Sequence, residues 1–235
     1  QVRVRTKVGI RLGAQWERTS SFKEDCLQSM DRLGLDHIFQ VSLHVFPNQL
    51  LEQLAKEIDE VFEQGLIQVL ASTNEPIARV NHLNECLTSV QIKHLQLKYN
   101  LLDRHLELLK GLDSSYSVEA WSPRGSGLLT SNASKLPSQW KHSKWQRERT
   151  AQETVSVSKA LEFLADQKDT TPDALAIAWI LSKDIDACFG TRCPDDLITC
   201  SMAQKIKLEV KELGFLDSLC PPKHPYQFRF MDRFG

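Results

Sequence analysis

The sequence predicts an α/β protein assembled from strand–helix units whose strands run parallel. Short apolar runs alternate along the chain with longer segments of helical period. Each of six strand candidates is followed by helical sequence, the pattern of consecutive βα units. The composition, 41% hydrophobic and 25% charged over 235 residues, is that of an ordinary globular domain and gives no sign of a disordered or fibrous chain.

The elements follow in order. Residues 2–8 alternate Val with basic residues and read as the first strand. Ser21-Phe-Lys-Glu24 is a capping box, in which the serine and glutamate side chains satisfy each other's backbone N–H groups, and it opens a helix ending near Leu33-Gly34. A second strand spans 37–43, and an amphipathic helix over 50–64 is closed by Gly65. Residues 66–71 form a third strand, and Pro76, at a first helical position, starts a helix toward Leu87. A strand over 92–97 leads to a helix over 101–112, and a strand over 116–121 runs into the loop of residues 122–127. Helices over 154–167 and 171–181, a last strand over 185–189 and a helix from Pro194 complete the pattern. The sequence after Gly214, aromatic and Pro-rich, reads as a tail wrapping one end of the domain.

Two arrangements suit such units, a doubly wound open sheet and a closed barrel. The turn after the first strand, Gly9-Ile-Arg-Leu-Gly13, lacks the helix start that a dinucleotide-binding open sheet would place there. A closed barrel of this kind needs eight strands, two more than are visible. The net charge of −1 gives no reason to expect nucleic acid or an anionic membrane as a partner, and no apolar run approaches the ~20 residues of a membrane span. The six cysteines match no zinc spacing and read as free thiols of a cytoplasmic protein, so no metal site is expected.

Several short motifs then line up in one order. They are Thr6-Lys-Val-Gly9, Leu33-Gly-Leu-Asp-His-Ile38 with Leu43-His44, Gly65-Leu-Ile-Gln-Val-Leu-Ala-Ser-Thr-Asn74, and Gln96-Leu-Lys-Tyr-Asn-Leu-Leu-Asp-Arg104. Ala120-Trp-Ser-Pro-Arg-Gly-Ser-Gly-Leu-Leu129, Ala174-Leu-Ala-Ile-Ala-Trp179 and Gly190-Thr-Arg192 follow. Any one is weak, but together and in this order they resemble the aldo-keto reductase family across nearly the whole chain. The resemblance implies a (β/α)8 TIM barrel, here a single partial domain over residues 1–235 with its first two βα units absent.

It also implies an activity, NADPH-dependent reduction of a small aldehyde or ketone to an alcohol. In the family a tyrosine protonates the product alkoxide, a lysine paired with an aspartate lowers that tyrosine's pKa, and a histidine orients the carbonyl. Lys7 and His44 match the lysine and the histidine. Read alone, Lys7 could be a solvated strand-end lysine and His44 a satisfied core histidine; the shared register of the motifs selects the catalytic reading. Thr73, Asn74 and Gln96 match the contacts to the nicotinamide carboxamide, and Trp121 the aromatic stacked on the nicotinamide face. Ser122, Pro123, Gly125 and Gly127 match the pyrophosphate loop, and Gly190, Thr191 and Arg192 the segment meeting the 2′-phosphate of NADP.

Some positions depart from the family pattern. No "DTAxxYG" segment, which carries the aspartate and tyrosine, occurs in the sequence, and its place is expected before residue 1. Arg124 stands where the family has Leu, Thr199-Cys200 where it has Glu-Asn, and the proline after the histidine is displaced to Pro47. The alternative reading is therefore a catalytically inactive relative that binds nucleotide or a protein partner. Residues 131–150, with Trp140 and Trp145 among basic side chains, read as a lid over a polyanionic cofactor.

Overall fold

A computed structural model describes residues 3–9, 21–44, 51–131, 133, 151–191 and 193–223. Arg192, Pro47, the expected lid apart from residues 131 and 133, and the end of the expected tail lie outside these residues. The strands are neighbours in chain order, β1 to β6. Doubly wound sheets reverse their strand order at a switch point, and these six strands have no such reversal. The described residues form two compact units, one comprising those up to Gln96 with Lys110–Ser117, the other Leu97–Leu109 and those from Val118 onward.

The first unit holds β1 (Arg5–Val8), α1 (Phe22–Leu33), β2 (Ile38–Leu43), α2 (Leu51–Glu63), β3 (Ile67–Thr73), α3 (Ile77–Cys86) and the start of β4 (His94–Lys98). The capping box at α1 forms as expected: Glu24 N–H donates to Ser21 Oγ at 3.1 Å, and Ser21 N–H to the Glu24 carboxylate at 2.8 Å. Gly34 closes the helix in the left-handed region at φ 63, where its lack of Cβ removes the steric cost. Helix α2 buries Leu51, Leu54, Ala55, Ile58 and Val61, an i, i+3, i+4, i+7 stripe. Fully burying a side chain such as Ile58 contributes roughly 1.5–3 kcal/mol. Asp59, on the same helix, accepts from Thr88 N–H and hydroxyl at 2.9 and 2.7 Å and from Ser89 N–H at 2.9 Å, which ties the chain leading into β4 to α2.

Parallel pairing sets the register of the strand ends. Lys7 pairs with Ser42, Val8 and Leu43 pair, Leu43 also pairs with Ser72, and Thr73 pairs with Gln96. Strand β3 runs on to Thr73, two residues beyond the end expected from its apolar run. Pairing with β4 carries it there, a tertiary effect that its own sequence does not encode.

The second unit holds the end of β4, the greater part of β5 (Ser117–Trp121), α4 (Ala151–Gln167), α5 (Pro172–Leu181), β6 (Asp186–Cys188), α6 (Pro194–Ser201) and α7 (Val210–Leu219). The helix expected over 101–112 does not form; only a 3-10 turn, His105–Leu108, is present. Asn100 explains this, because its side-chain oxygen accepts from Leu102 and Asp103 N–H at 2.9 and 3.0 Å and turns the backbone out of the helical path.

Helix α7 replaces the start of the expected tail and runs through Gly214. Glu209 and Glu212 form its capping box, and Leu216 is fully buried. The helix is anchored by Asp217, whose carboxylate accepts from Trp179 Nε1 at 2.9 Å and Lys183 Nζ at 2.7 Å. Arg104, 4% exposed, donates to the backbone oxygens of Asp217 and Cys220 and pairs with Glu107 at 2.6 Å. Trp179 stacks on Tyr99 with ring centroids 5.1 Å apart. Burial, and then the hydrogen bond to Glu107, push the Tyr99 phenol far above its ordinary pKa, so this tyrosine does not serve as an acid near neutrality. Among the described residues, no helix is long and apolar enough to cross a membrane.

Candidate active site

In the first unit the predicted residues sit toward the C-terminal ends of adjacent parallel strands, the end at which parallel (β/α) barrels carry their sites. Lys7 is in β1, and His44 directly follows β2, its N–H donating to Val8 O at 2.9 Å. Partial burial, and then the nearby charge of Lys7, hold the His44 imidazole below its ordinary pKa of 6.5. His44 is therefore neutral near pH 7 and keeps one ring N–H to donate.

Thr73 ends β3 in register with Gln96, so the two side chains leave the sheet on the same face. Asn74 follows with φ 61, a left-handed conformation that Asn adopts more readily than most residues, and its N–H donates to Gln96 O at 3.1 Å. Thr73 is 1% exposed, and its hydroxyl has no hydrogen-bond partner among the described residues. The same is true of Ser72, although alternation along the strand sends that side chain to the opposite face. A buried hydroxyl left without a partner costs roughly 1–3 kcal/mol.

In the second unit Trp121 ends β5, half-buried, with the Lys98 ammonium 6.0 Å from its ring centroid. Lys98 is paired with Asp103 at 2.7 Å, and Asp103 also meets His105 Nδ1 at 2.5 Å. Burial alone would raise the Asp103 pKa, but the hydrogen bond from His105 and the charge of Lys98 outweigh it and hold the carboxyl below its usual range.

Ser122 and Gly125 both have left-handed φ, 58 and 55. A Cβ at Gly125 would lie 3.0 Å from Leu129 Cγ, so this glycine is required both for its φ and for its close packing. Gly125 N–H donates to Ser122 O, Ser126 N–H to Ser122 Oγ and Gly127 N–H to Arg124 O, so these donors close the turn itself. Pro123 is buried in the same turn.

Arg124, where the family pattern has Leu, is the hub of this region. Its guanidinium donates to Gly190 O at 2.7 Å, to Asp196 at 3.2 Å and to Asp173 at 3.3 Å, and lies 5.8 Å from the Phe189 ring centroid. Burial alone would lower its pKa; the two aspartates outweigh that and keep it charged. The Thr191 hydroxyl donates to Asp196 at 2.7 Å and accepts from Cys193 N–H at 3.0 Å. Arg124 thus brings the predicted Ser122–Gly127 loop together with the predicted Gly190-Thr191 segment. Sequence reading did not single out Lys98, Asp103, Asp173 or Asp196. The available signal was Lys98 standing two residues after Gln96, hence on the same strand face, and a cation inside a glycine loop that calls for carboxylates nearby.

Comparison with known proteins places the chain in a family. The sequence model described as "Aldo/keto reductase family" matches residues 1–213. The chain is 26% identical over 224 residues to the NADH-specific methylglyoxal reductase of Escherichia coli (strain K12), covering 84% of this chain and 68% of that protein. It is 26% identical over 171 residues to aldo-keto reductase str7 of Strobilurus tenacellus, covering 68% of this chain and 51% of that one. The crystal structure of a thermostable aldo-keto reductase, Tm1743, in complex with the inhibitor epalrestat shares the fold at a TM-score of 0.67 and 23% identity. That match covers 84% of this chain and 65% of the solved one, so the chain spans from half to about two thirds of the length of these relatives. The chain belongs to the aldo/keto reductase family.

Proposed function

We propose that the protein reduces aldehydes or ketones to alcohols, with NADPH as the hydride source. One observation carries the reading: the Thr73 hydroxyl, buried and without a partner among the described residues, at the C-terminal end of a strand. A nicotinamide carboxamide offers both N–H donors and a carbonyl acceptor, and a hydroxyl can meet either. Thr73, with Asn74 and Gln96 beside it, therefore fits that group. When bound, the nicotinamide supplies hydride to the substrate carbonyl carbon.

The rest is the work of this chain's residues. His44, kept neutral by burial and by Lys7, donates a ring N–H toward the substrate oxygen and orients the carbonyl, and water supplies the proton that converts the resulting alkoxide to the alcohol. Lys7 holds positive charge near the position where negative charge develops. The family's tyrosine and its aspartate partner have no counterpart motif in this sequence. In the second unit, the assignment of Trp121 as stacking platform, of Ser122, Pro123, Gly125 and Gly127 as pyrophosphate loop, and of Gly190, Thr191 and Arg192 as the 2′-phosphate segment rests on the family resemblance.

The NADPH form of the reading rests on Arg192, whose guanidinium suits a phosphate. A second form, with NADH, is favoured by Asp195 and Asp196 in the first turn of α6, where carboxylates next to Thr191 oppose a 2′-phosphate. The E. coli relative is named as NADH-specific. Titration with both nucleotides, for the wild type and Arg192→Ala, tests the choice. Preference for NADPH by about tenfold, roughly 1.4 kcal/mol, and its loss in Arg192→Ala support the first form; equal affinities or preference for NADH overturn it.

A further inference from the structure

We infer that Arg124 is a phosphate-binding residue held in reserve by Asp196, which gives up the guanidinium when the diphosphate of a dinucleotide binds. The inference builds on the nucleotide reading above, and adds to it a residue that the family pattern does not supply.

Several observations lead to it. The N–H groups of Gly125, Ser126 and Gly127, the donors a glycine loop would offer to phosphate, are already used inside the turn. Among residues 122–127, Arg124 is the one cation. Its contacts are unequal: the bond to Gly190 O is short at 2.7 Å, while Asp173 and Asp196 share the Nη1 group at 3.3 and 3.2 Å. The guanidinium is thus anchored through one nitrogen, and its other arm is split between two acceptors at long range.

The two carboxylates also differ. Asp173 is 13% exposed and fixed by Ser131, whose N–H donates to it at 3.0 Å and whose hydroxyl donates at 3.3 Å. Asp196 accepts from the Thr191 hydroxyl at 2.7 Å but is 41% exposed, so water replaces the arginine there at lower cost than at the more enclosed Asp173. It is therefore the partner that yields. Phosphate accepts charge-assisted bonds from a guanidinium in the same geometry as a carboxylate, but carries more negative charge, so it competes for the same nitrogen. Two aspartates against one arginine leave this cluster with a net negative charge, which an incoming phosphate must overcome. Asp196 thus opposes binding, while Arg124 promotes it.

That opposition in sign is the test. Inorganic pyrophosphate, NADPH and NADH are titrated by calorimetry into the full chain as wild type, Arg124→Leu and Asp196→Asn. The expected result is pyrophosphate and nucleotide binding weakened about tenfold or more in Arg124→Leu, and tightened severalfold in Asp196→Asn. A hub with only a structural role makes both substitutions weaken binding, or leaves both without effect; either result overturns the inference. Asp196→Asn keeps the test decisive even if Arg124→Leu fails to fold, because tightening supports the inference and weakening overturns it. Pyrophosphate that binds through Arg124 while neither nucleotide binds upholds this site and defeats the proposed function. Nucleotides that bind equally well to all three proteins uphold the function and defeat this site.

Discussion

Replacing Thr73 by Val separates the cost of the site from its use. The hydroxyl is buried, and no described residue accepts from it or donates to it. Such a group is destabilising by about 1–3 kcal/mol relative to a satisfied one. Val keeps the β-branched shape and the strand preference while exchanging the hydroxyl for a methyl group. Taking the low end, Thr73→Val stabilises the ligand-free protein by about 1 kcal/mol, a rise in Tm of roughly 2–4 °C for a chain of this size. The same change removes the donor and acceptor assigned to the nicotinamide carboxamide, so nucleotide affinity falls about tenfold, or roughly 1.4 kcal/mol. Thermal and urea denaturation without ligand read the first effect, and nucleotide titration reads the second. The two effects have opposite signs, which general damage to the fold cannot produce. Loss of 1 kcal/mol or more in the free protein would show that the hydroxyl is satisfied there, and unchanged nucleotide affinity would remove Thr73 from the site.

The lowered pKa of His44 means that the unfolded chain binds its proton first, so this contribution to stability is full above the ordinary value of 6.5 and is lost as pH falls below it. Urea denaturation at pH 7.5 and 5.5 should show a smaller loss for His44→Asn than for the wild type, and equal losses would contradict the assignment. Gly125→Ala sets a Cβ 3.0 Å from Leu129 in a left-handed conformation, and should destabilise by about 1–2 kcal/mol; a neutral melt would show that the loop relaxes freely. Arg104→Met removes the guanidinium from Glu107, which keeps only the Tyr99 hydroxyl, and from the backbone oxygens of Asp217 and Cys220, and should lower stability by about 3 kcal/mol, measured by urea titration.

Features encoded by local chemistry were legible in the sequence. The Ser21–Glu24 box and Gly34 mark the ends of α1 because the groups that satisfy them lie within a few residues. The strand-end positions of Lys7 and His44 followed from motif order, whereas the Thr73–Gln96 pairing appears only once β4 draws β3 past its apolar run. Features set by distant partners were not legible. The apolar run after Asn100 has helical spacing, yet the Asn100 side chain captures the backbone before a helix can start. Helix α7 contains a glycine and precedes a Pro-rich stretch, so its sequence reads as a tail; Arg104 and Trp179, more than 30 residues away in the chain, hold it in place. Arg124 was visible as a departure from the family pattern, but its partners Asp173 and Asp196 come from two other elements, which no local spacing reveals.

The central claim is hydride transfer from a nicotinamide nucleotide to a carbonyl, and isotope transfer tests it most directly. The protein is incubated with an aldehyde and with NADPH carrying deuterium at the transferable position of the nicotinamide, and the alcohol is examined by mass spectrometry. The expected product is alcohol bearing one deuterium at the former carbonyl carbon, formed more slowly by His44→Asn and by Thr73→Val. Nucleotide bound at saturation, with no deuterated alcohol formed from any aldehyde or ketone tested, would contradict it.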